Sequence, residues 1–295
     1  MSSFKVQIFG AGALGSLFGA LIQMSGYDVH FVARGKQLEA LKGSLKVIGL
    51  INAEMKVNVS DKPEKADVTF VTVKAYDTEN AAKILSKTDP GVVCSLQNGI
   101  GNEEILSKYF SDVVGGVTTY GANLKDFGVV VFAGKGVTYI GEFKGGGVKE
   151  VEEVLKNSGI NVEVVEDIKK RIWEKAVINS VINPITAIFD VKNGEIIRNE
   201  YLWDLAKRTA KESERVAENL GYSFDAIEAV REVAEKTSEN VSSMLQDVRR
   251  GKRTEIDYIN GAIVEEGEKR GLEVCYNRFL WKAVKAIEKV RGCVR

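Results

Sequence analysis

Lys175, Asn179 and Asn183 recur at intervals of four within Trp173-Glu174-Lys175-Ala176-Val177-Ile178-Asn179-Ser180-Val181-Ile182-Asn183-Pro184. On a helix that interval stacks an ammonium and two carboxamides along one face of an otherwise apolar segment. Burying such a stripe is costly unless each polar group has a partner, and in an enzyme cleft the substrate is that partner. A wet or interface-facing groove is the alternative. The chain has a single histidine, His30, inside a β-rich run that suits a core or edge position. An acid catalyst must then come from elsewhere, and a lysine whose pKa is lowered by desolvation can serve. Lys175 is that candidate.

Such a residue needs elements to hold it and a co-reactant to work with. The N-terminal run Lys5-Val6-Gln7-Ile8-Phe9 enters Gly10-Ala11-Gly12-Ala13-Leu14-Gly15, followed by a helical pattern through Met24 and a second apolar strand over residues 29–33. Strand, glycine turn and helix in that order form a dinucleotide-binding fingerprint. Gly10 permits the turn, Gly12 lets a pyrophosphate approach the backbone, Gly15 lets helix and strand pack closely, and the helix N-terminus faces the phosphates. Ala11, Ala13 and Leu14 complete the loop. An acidic residue after the second strand would bind a ribose 2′-hydroxyl, whereas an arginine accommodates a 2′-phosphate. Here Ala33-Arg34-Gly35 follows, which favours NADPH, with NADH as the alternative and Lys36 as a second phosphate contact. An arginine merely exposed in a turn would look the same.

A chain of 295 residues exceeds the size at which one core keeps growing, so two domains are expected. The 41 basic and 41 acidic residues cancel, leaving no global field for nucleic acid or an anionic membrane. No apolar stretch reaches transmembrane length, and the N-terminus enters a strand without a leader pattern, so a cytoplasmic protein with a small-molecule partner is expected. Cysteines 94, 275 and 293 have neither CxxC spacing nor an even count, which argues against disulfides or a metal site. Strand-like runs at 68–73, 92–96 and 113–117 continue an α/β rhythm, and β-rich runs at 129–132, 137–143 and 162–165 suggest antiparallel strands late in the sheet. From 168 to 294 the pattern is helix after helix. The expected organisation is α/β: a Rossmann-type dinucleotide-binding domain over 1–166, an all-helical substrate and catalytic domain over 167–295, and a cleft between the two. Lys74 and Asn98, after two of the strands, fall at the carboxyl edge of the sheet where ligands bind in open α/β folds.

These residues together carry a resemblance. Gly10-x-Gly12-x-x-Gly15, Ala33-Arg34-Gly35, Val73-Lys74-Ala75, Leu96-Gln97-Asn98-Gly99, Trp173-x-Lys175-x-x-x-Asn179-x-x-x-Asn183-Pro184, Asn240-x-Ser242-Ser243-Met244-x-Gln246-Asp247 and Thr254-Glu255-Ile256-Asp257-Tyr258-Ile259-Asn260-Gly261 resemble, in order, the motifs of the ketopantoate reductase (2-dehydropantoate 2-reductase) family. The resemblance implies reduction of ketopantoate to (R)-pantoate with NADPH, a step of pantothenate and coenzyme A biosynthesis. It implies that Lys175 protonates the keto oxygen and that Glu255 orients the ammonium. Asn179, Asn183, Asn240 and Ser243 would grip the substrate, joined by Lys74 and Asn98. Gly10 to Gly15, Arg34, Lys74, Asn98, Ala122 and Glu255 would contact the cofactor. Glu255 is expected in the first turn of a helix capped by Thr254, and Asn240 and Ser243 on one helix face.

Two positions depart from the pattern: Tyr120 stands where many relatives have histidine, and Cys275 where proline is usual, with Asn277 expected to cap the last helix. Coenzyme A, the pathway's end product, is expected to act as a feedback ligand competing with NADPH, and an adduct at Cys94 is a more remote version of that idea. The apolar last helix, Phe279-Leu280-Trp281 through Ile287, either completes its lobe or forms a homodimer contact. The rival readings are a two-domain dehydrogenase acting on β-hydroxyacids or opines, and a nucleotide sensor that kept the fold.

Overall fold

The computed structural model describes residues 4–293; residue 294 of the expected helical stretch and the outer domain limits 1 and 295 lie outside the described residues. Two compact units emerge: the chain up to Gln97 together with Asn102–Arg171, and Asn98–Gly101 together with the chain from Ile172 on.

The strands of the first unit are β1 (Lys5–Phe9), β2 (Asp28–Val32), β3 (Leu45–Gly49), β4 (Ala53–Met55), β5 (Asn58–Ser60), β6 (Val68–Val71), β7 (Val92–Ser95), β8 (Val113–Thr118), β9 (Gly121–Asp126), β10 (Val129–Gly134), β11 (Thr138–Lys144) and β12 (Val162–Val164). Its helices are α1 (Ala13–Met24), α2 (Gly35–Gly43), α3 (Thr78–Leu85), α4 (Asn102–Leu106) and α5 (Val148–Asn157). The main sheet runs β12-β11-β8-β7-β6-β1-β2-β5, parallel from β8 to β5, with β11 antiparallel to β8. Every residue of β6 and all of β1 after Lys5 are buried, as suits strands covered on both faces.

The late β-rich region divides rather than extending one sheet. β11 stays in the main sheet, whereas β9 and β10 join β3 and β4 in a second sheet of order β4-β3-β10-β9. This sheet shares its core with α1: Phe18 meets Tyr120 edge-on, and Tyr120 stacks on Phe132. Tyr120 is a core residue whose hydroxyl accepts the Asn161 N–H at 2.9 Å. His30 is likewise interior, held between Gln7 and Ser60, and burial lowers its pKa more than nearby Glu64 raises it.

The second unit is helical: α6 (Ile168–Phe189), α7 (Glu195–Arg198), α8 (Glu200–Glu218), α9 (Ala226–Lys236), α10 (Ser243–Arg249), α11 (Asn260–Lys269) and α12 (Cys275–Val290). The division falls within α6 because its first turn packs on the sheet, Lys169 over the Phe143 ring and Arg171 over the Tyr139 ring, each at 4.7 Å. Pro184 sits inside α6. It has no N–H to offer the Ser180 carbonyl, and that carbonyl accepts Asn260 Nδ2 at 2.8 Å instead. The proline thus creates the acceptor that ties α11 to α6. Leu280 and Val284 of α12 enter the core while Phe279 stays 63% exposed, so this helix completes the unit and still presents an aromatic ring outward.

Asn277 does not cap α12. It is buried inside the first turn, where its amide bridges Asn260, Ser213 and Glu212. Glu212 of α8 takes the capping role, accepting the Tyr276 and Asn277 N–H groups at 3.0 and 2.7 Å. Among the described residues no helix is long and apolar enough to cross a membrane, and no three His, Cys, Asp or Glu side chains converge on a metal position.

Candidate active site

In the first unit the site is built on the turn from β1 to α1. Gly10 has φ +113°, a conformation that favours glycine, and a Cβ there would lie 2.7 Å from the Val73 backbone nitrogen. A Cβ on Gly15 would lie 2.2 Å from the Gly10 carbonyl oxygen. At Gly12 a Cβ would meet nothing within 4 Å. The turn is therefore closed against the protein at Gly10 and Gly15 and open outward at Gly12. Gly12 offers no side-chain cap and the first turn of α1 has no acidic residue, so the N–H groups of Ala13 and Leu14 are the unsatisfied donors of a helix N-terminus. That combination fits a pyrophosphate. The Ala11 carbonyl accepts Ser16 Oγ and Gln37 Nε2. Gln37, which the motif reading passed over, also takes the Gly128 N–H and so links the loop to the second sheet.

Arg34 immediately precedes α2, in extended backbone, with its side chain 75% exposed and ion-paired to Asp77. Lys36 lies over the Phe127 ring at 6.0 Å. Strand β6 stops at Val71, so Lys74 lies three residues beyond the sheet, in extended backbone before a 3-10 turn, Ala75–Asp77. That turn is tied by Gln97, whose Nε2 donates to the Val73 carbonyl at 2.9 Å and to Thr78 Oγ1 at 2.7 Å. Ala122 is a half-buried residue of β9 packed on the core and paired with Phe132. Cys94 is fully buried in β7; burial, with Glu103 nearby, pushes its thiol far above the ordinary range. Because the reactive species is the thiolate, this burial speaks against an adduct at Cys94.

In the second unit Lys175, Asn179 and Asn183 share one face of α6, the first two half-buried and Asn183 buried. Burial holds the Lys175 ammonium down to about 8 from its ordinary 10.5, while Glu255 pulls the other way. Glu255 is 5% exposed. It does not lie in a helix capped by Thr254: it precedes a 3-10 turn, Ile256–Tyr258, and the next α-helix starts only at Asn260. Thr254 still accepts a backbone N–H, that of Ile256 at 3.3 Å.

Asn98 joins this unit rather than the sheet edge alone. The Ile100 N–H donates to the Tyr258 carbonyl at 2.9 Å, and Gly99 (φ +91°) approaches so closely that a Cβ would lie 2.8 Å from that oxygen. The Asn98 loop is therefore seated on the turn that Glu255 opens. Asn240 and Ser243 do not share a helix face. Asn240 is exposed in the loop before α10, its carbonyl accepting the Asn193 N–H, and Ser243 is the first residue of α10. The start of α10 is capped by Ser242, whose hydroxyl also bonds Thr186 of α6 at 2.7 Å, one turn beyond Asn183. Ser242, Thr186 and Asn260 were not picked out as positioning residues in the sequence, and Thr254 only as a helix cap. Thr186, a hydroxyl set between Ile185 and Ala187, carried a local signal; Ser242 and Thr254 stand among other polar residues and did not.

A helix N-terminus laid open over a parallel sheet, with a separate helical unit carrying a desolvated lysine beside a carboxylate, defines the class: an oxidoreductase built on a Rossmann-type dinucleotide-binding unit. The relatives narrow it. Residues 6–145 match the family model described as Ketopantoate reductase PanE/ApbA, and residues 167–288 match its C-terminal counterpart. A 2-dehydropantoate 2-reductase of Archaeoglobus fulgidus is 62% identical over 96% of this chain and 98% of its own. The crystal structure of a PanE/ApbA family ketopantoate reductase from Ralstonia eutropha JMP134 superposes with a TM-score of 0.92 at 29% identity, covering 98% of this chain and all of that one. A ternary structure of D-mandelate dehydrogenase with NADH and anilino(oxo)acetate has the same TM-score at 26% identity, over 99% and 100% of the two chains. The chain belongs to the ketopantoate reductase family.

Proposed function

We propose that this protein reduces 2-dehydropantoate to (R)-pantoate with NADPH in the cytoplasm, with Lys175 as general acid. The observation that carries the reading is the Lys175 ammonium brought down to about 8 beside buried Glu255. An acid in that range is still protonated at neutral pH yet gives up its proton readily. The bound nicotinamide would supply the hydride to the C2 keto carbon. Lys175 then hydrogen-bonds the keto oxygen, stabilises the charge that grows there by roughly 3 to 4 kcal/mol, and delivers the proton. Glu255 keeps the lysine charged until that moment. Asn179 and Asn183 bind hydroxyl and carboxylate groups with neutral donors and acceptors, joined by Ser243, Asn240, Asn98 and Lys74. Residues 1–166 hold the dinucleotide and residues 167–295 the substrate.

Arg34 and the lack of an acidic residue after β2 support NADPH. Coenzyme A is the feedback ligand in this reading, competing for the same turn without a bond to Cys94, and the exposed Phe279 is the proposed homodimer contact. The D-mandelate dehydrogenase likeness supports a second reading, an NADH-dependent reductase of aryl 2-keto acids. The test is oxidation of NADPH and NADH with ketopantoate and with an aryl 2-keto acid, by wild type and Lys175→Ala. Lys175→Ala should lose roughly 10²- to 10⁴-fold in kcat with NADPH binding intact. Wild type turning over only the aryl acid would select the second reading. Added coenzyme A should raise the KM for NADPH; an unchanged KM removes it as a competitor.

A further inference from the structure

We propose that Glu288, near the end of α12, is a positioning residue for the Lys175 and Glu255 pair, acting through Thr254. The inference rests on the reading of Lys175 as the acid. Thr254 stands immediately before Glu255, is itself buried, and directs both its backbone N–H and its hydroxyl to Glu288 Oε1, each at 2.7 Å. Glu288 is 0% exposed. A charge-bearing side chain in the interior is costly without partners, and here its partners are the two groups that set the backbone entering Glu255 together with Lys285, whose Nζ lies 3.0 Å from Oε2.

The other side of Glu255 is tied to the same helix. Asp257 Oδ1 accepts Trp281 Nε1 at 2.8 Å, and its Oδ2 accepts Lys285 Nζ at 2.9 Å and an Arg253 guanidinium N–H at 3.2 Å. Residues before and after Glu255 are thus both anchored to α12. The charged groups facing this cluster are Lys285 and Glu288 from α12, Arg253, Glu255 and Asp257 from the turn, and Lys175 from α6. The two carboxylates at the flanking anchors have cations of their own in Lys285 and Arg253, so the attraction that acts on Lys175 is that of Glu255. A stretch in irregular backbone is held to the tolerance a proton donor requires because α12 grips it at two points.

The test is the pH dependence of kcat/KM for Glu288→Ala, Thr254→Val and Thr254→Ser, each alone and in a Glu255→Gln background. Releasing the clamp lets Glu255 withdraw from Lys175, so the lysine loses its proton at lower pH. The alkaline limb should move acidward by about one pH unit and kcat should fall, while the KM for NADPH stays put. Thr254→Ser, which keeps the hydroxyl, should keep the limb where wild type has it. In the Glu255→Gln background, Glu288→Ala should move the limb no further. An unmoved limb in folded Glu288→Ala and Thr254→Val overturns the proposal, and so does an equal extra shift in the Glu255→Gln background. If Glu288→Ala does not fold, Thr254→Val carries the test, because it retains the backbone bond. The reading beneath fails in a different way: Lys175→Ala would then show wild-type turnover with the same alkaline limb.

Discussion

Replacing Lys175 with methionine should make the folded chain more stable at neutral pH than at alkaline pH, relative to wild type, because the protein carries this ammonium at a loss. Burial holds the group at about 8 against the pull of Glu255, whereas the unfolded lysine keeps its proton up to 10.5. Below 8 both states are charged and the folded state bears the whole penalty. As pH rises from 8 to 10.5 the folded lysine is already neutral while the unfolded one is still losing its proton, so the penalty shrinks, and above 10.5 it is gone. The gap between 10.5 and about 8, at ~1.4 kcal/mol for each pH unit, sets that penalty at about 3 kcal/mol. Methionine fills similar space and has no charge to desolvate. The substitution also removes the attraction between Lys175 and Glu255, but wild type loses that attraction as well once the lysine is neutral, and its effect is already contained in the net lowering to about 8. The observable is therefore the difference between two pH values: urea unfolding of both proteins at pH 7 and pH 10.5. The stability of Lys175→Met relative to wild type should improve by about 3 kcal/mol on going from the higher pH to the lower. A difference that is the same at both pH values would refute the claim that Lys175 is desolvated, and with it the argument that the fold prepares this lysine as an acid.

The glycine turn separates folding from binding. Gly15→Ala should lower the melting temperature, costing about 1 to 3 kcal/mol of overpacking, since its Cβ meets the Gly10 carbonyl. Gly12→Ala should leave the melting temperature unchanged and raise the KM for the dinucleotide, because its Cβ enters only the open space above the helix N-terminus; equal melting losses in the two variants would contradict this. Asp77→Asn frees Arg34 of its ionic partner and should raise the ratio of NADPH to NADH kcat/KM, whereas an unchanged ratio would mean that Arg34 does not read the 2′-phosphate. Asn260→Leu removes the bonds to the Ser180 carbonyl and to Asn277 and should cost about 2 kcal/mol in chemical denaturation; a neutral result would show that the carbonyl left open by Pro184 is satisfied in another way.

The chemistry-bearing pieces were legible wherever the signal is local. The turn at Gly10, Gly12 and Gly15 follows from the positive φ that Gly10 adopts cheaply, the close helix-to-strand packing at Gly15 and the open approach at Gly12. The Lys175, Asn179 and Asn183 stripe follows from the period of the helix. Both depend on residues within a turn or two of one another, and the structure has both as one turn and one helical face. The late strands were visible as strands for the same reason, but their division between two sheets was not, because β10 pairs with the distant β3 and no short-range pattern encodes that choice.

Tertiary packing decided everything that makes the lysine unusual. Its burial, the neighbouring Glu255, the seating of the Asn98 loop on Tyr258 and the hold of Glu288 on Thr254 all join segments far apart in the chain. The same cause explains the misplaced details. Asn277 reads as a helix cap by its position before an apolar run, yet it is drawn into the interior because Glu212, on another helix, already satisfies the N–H groups it would have capped. Asn240 and Ser243 read as one helix face by their spacing, yet Ser242 stops the helix short of Asn240 by capping it against Thr186. Periodicity places a side chain on an element and says which way it faces. A pKa, a hydrogen-bond partner or a charge's counter-ion depends on what the rest of the chain brings to that face, and only the folded molecule supplies it.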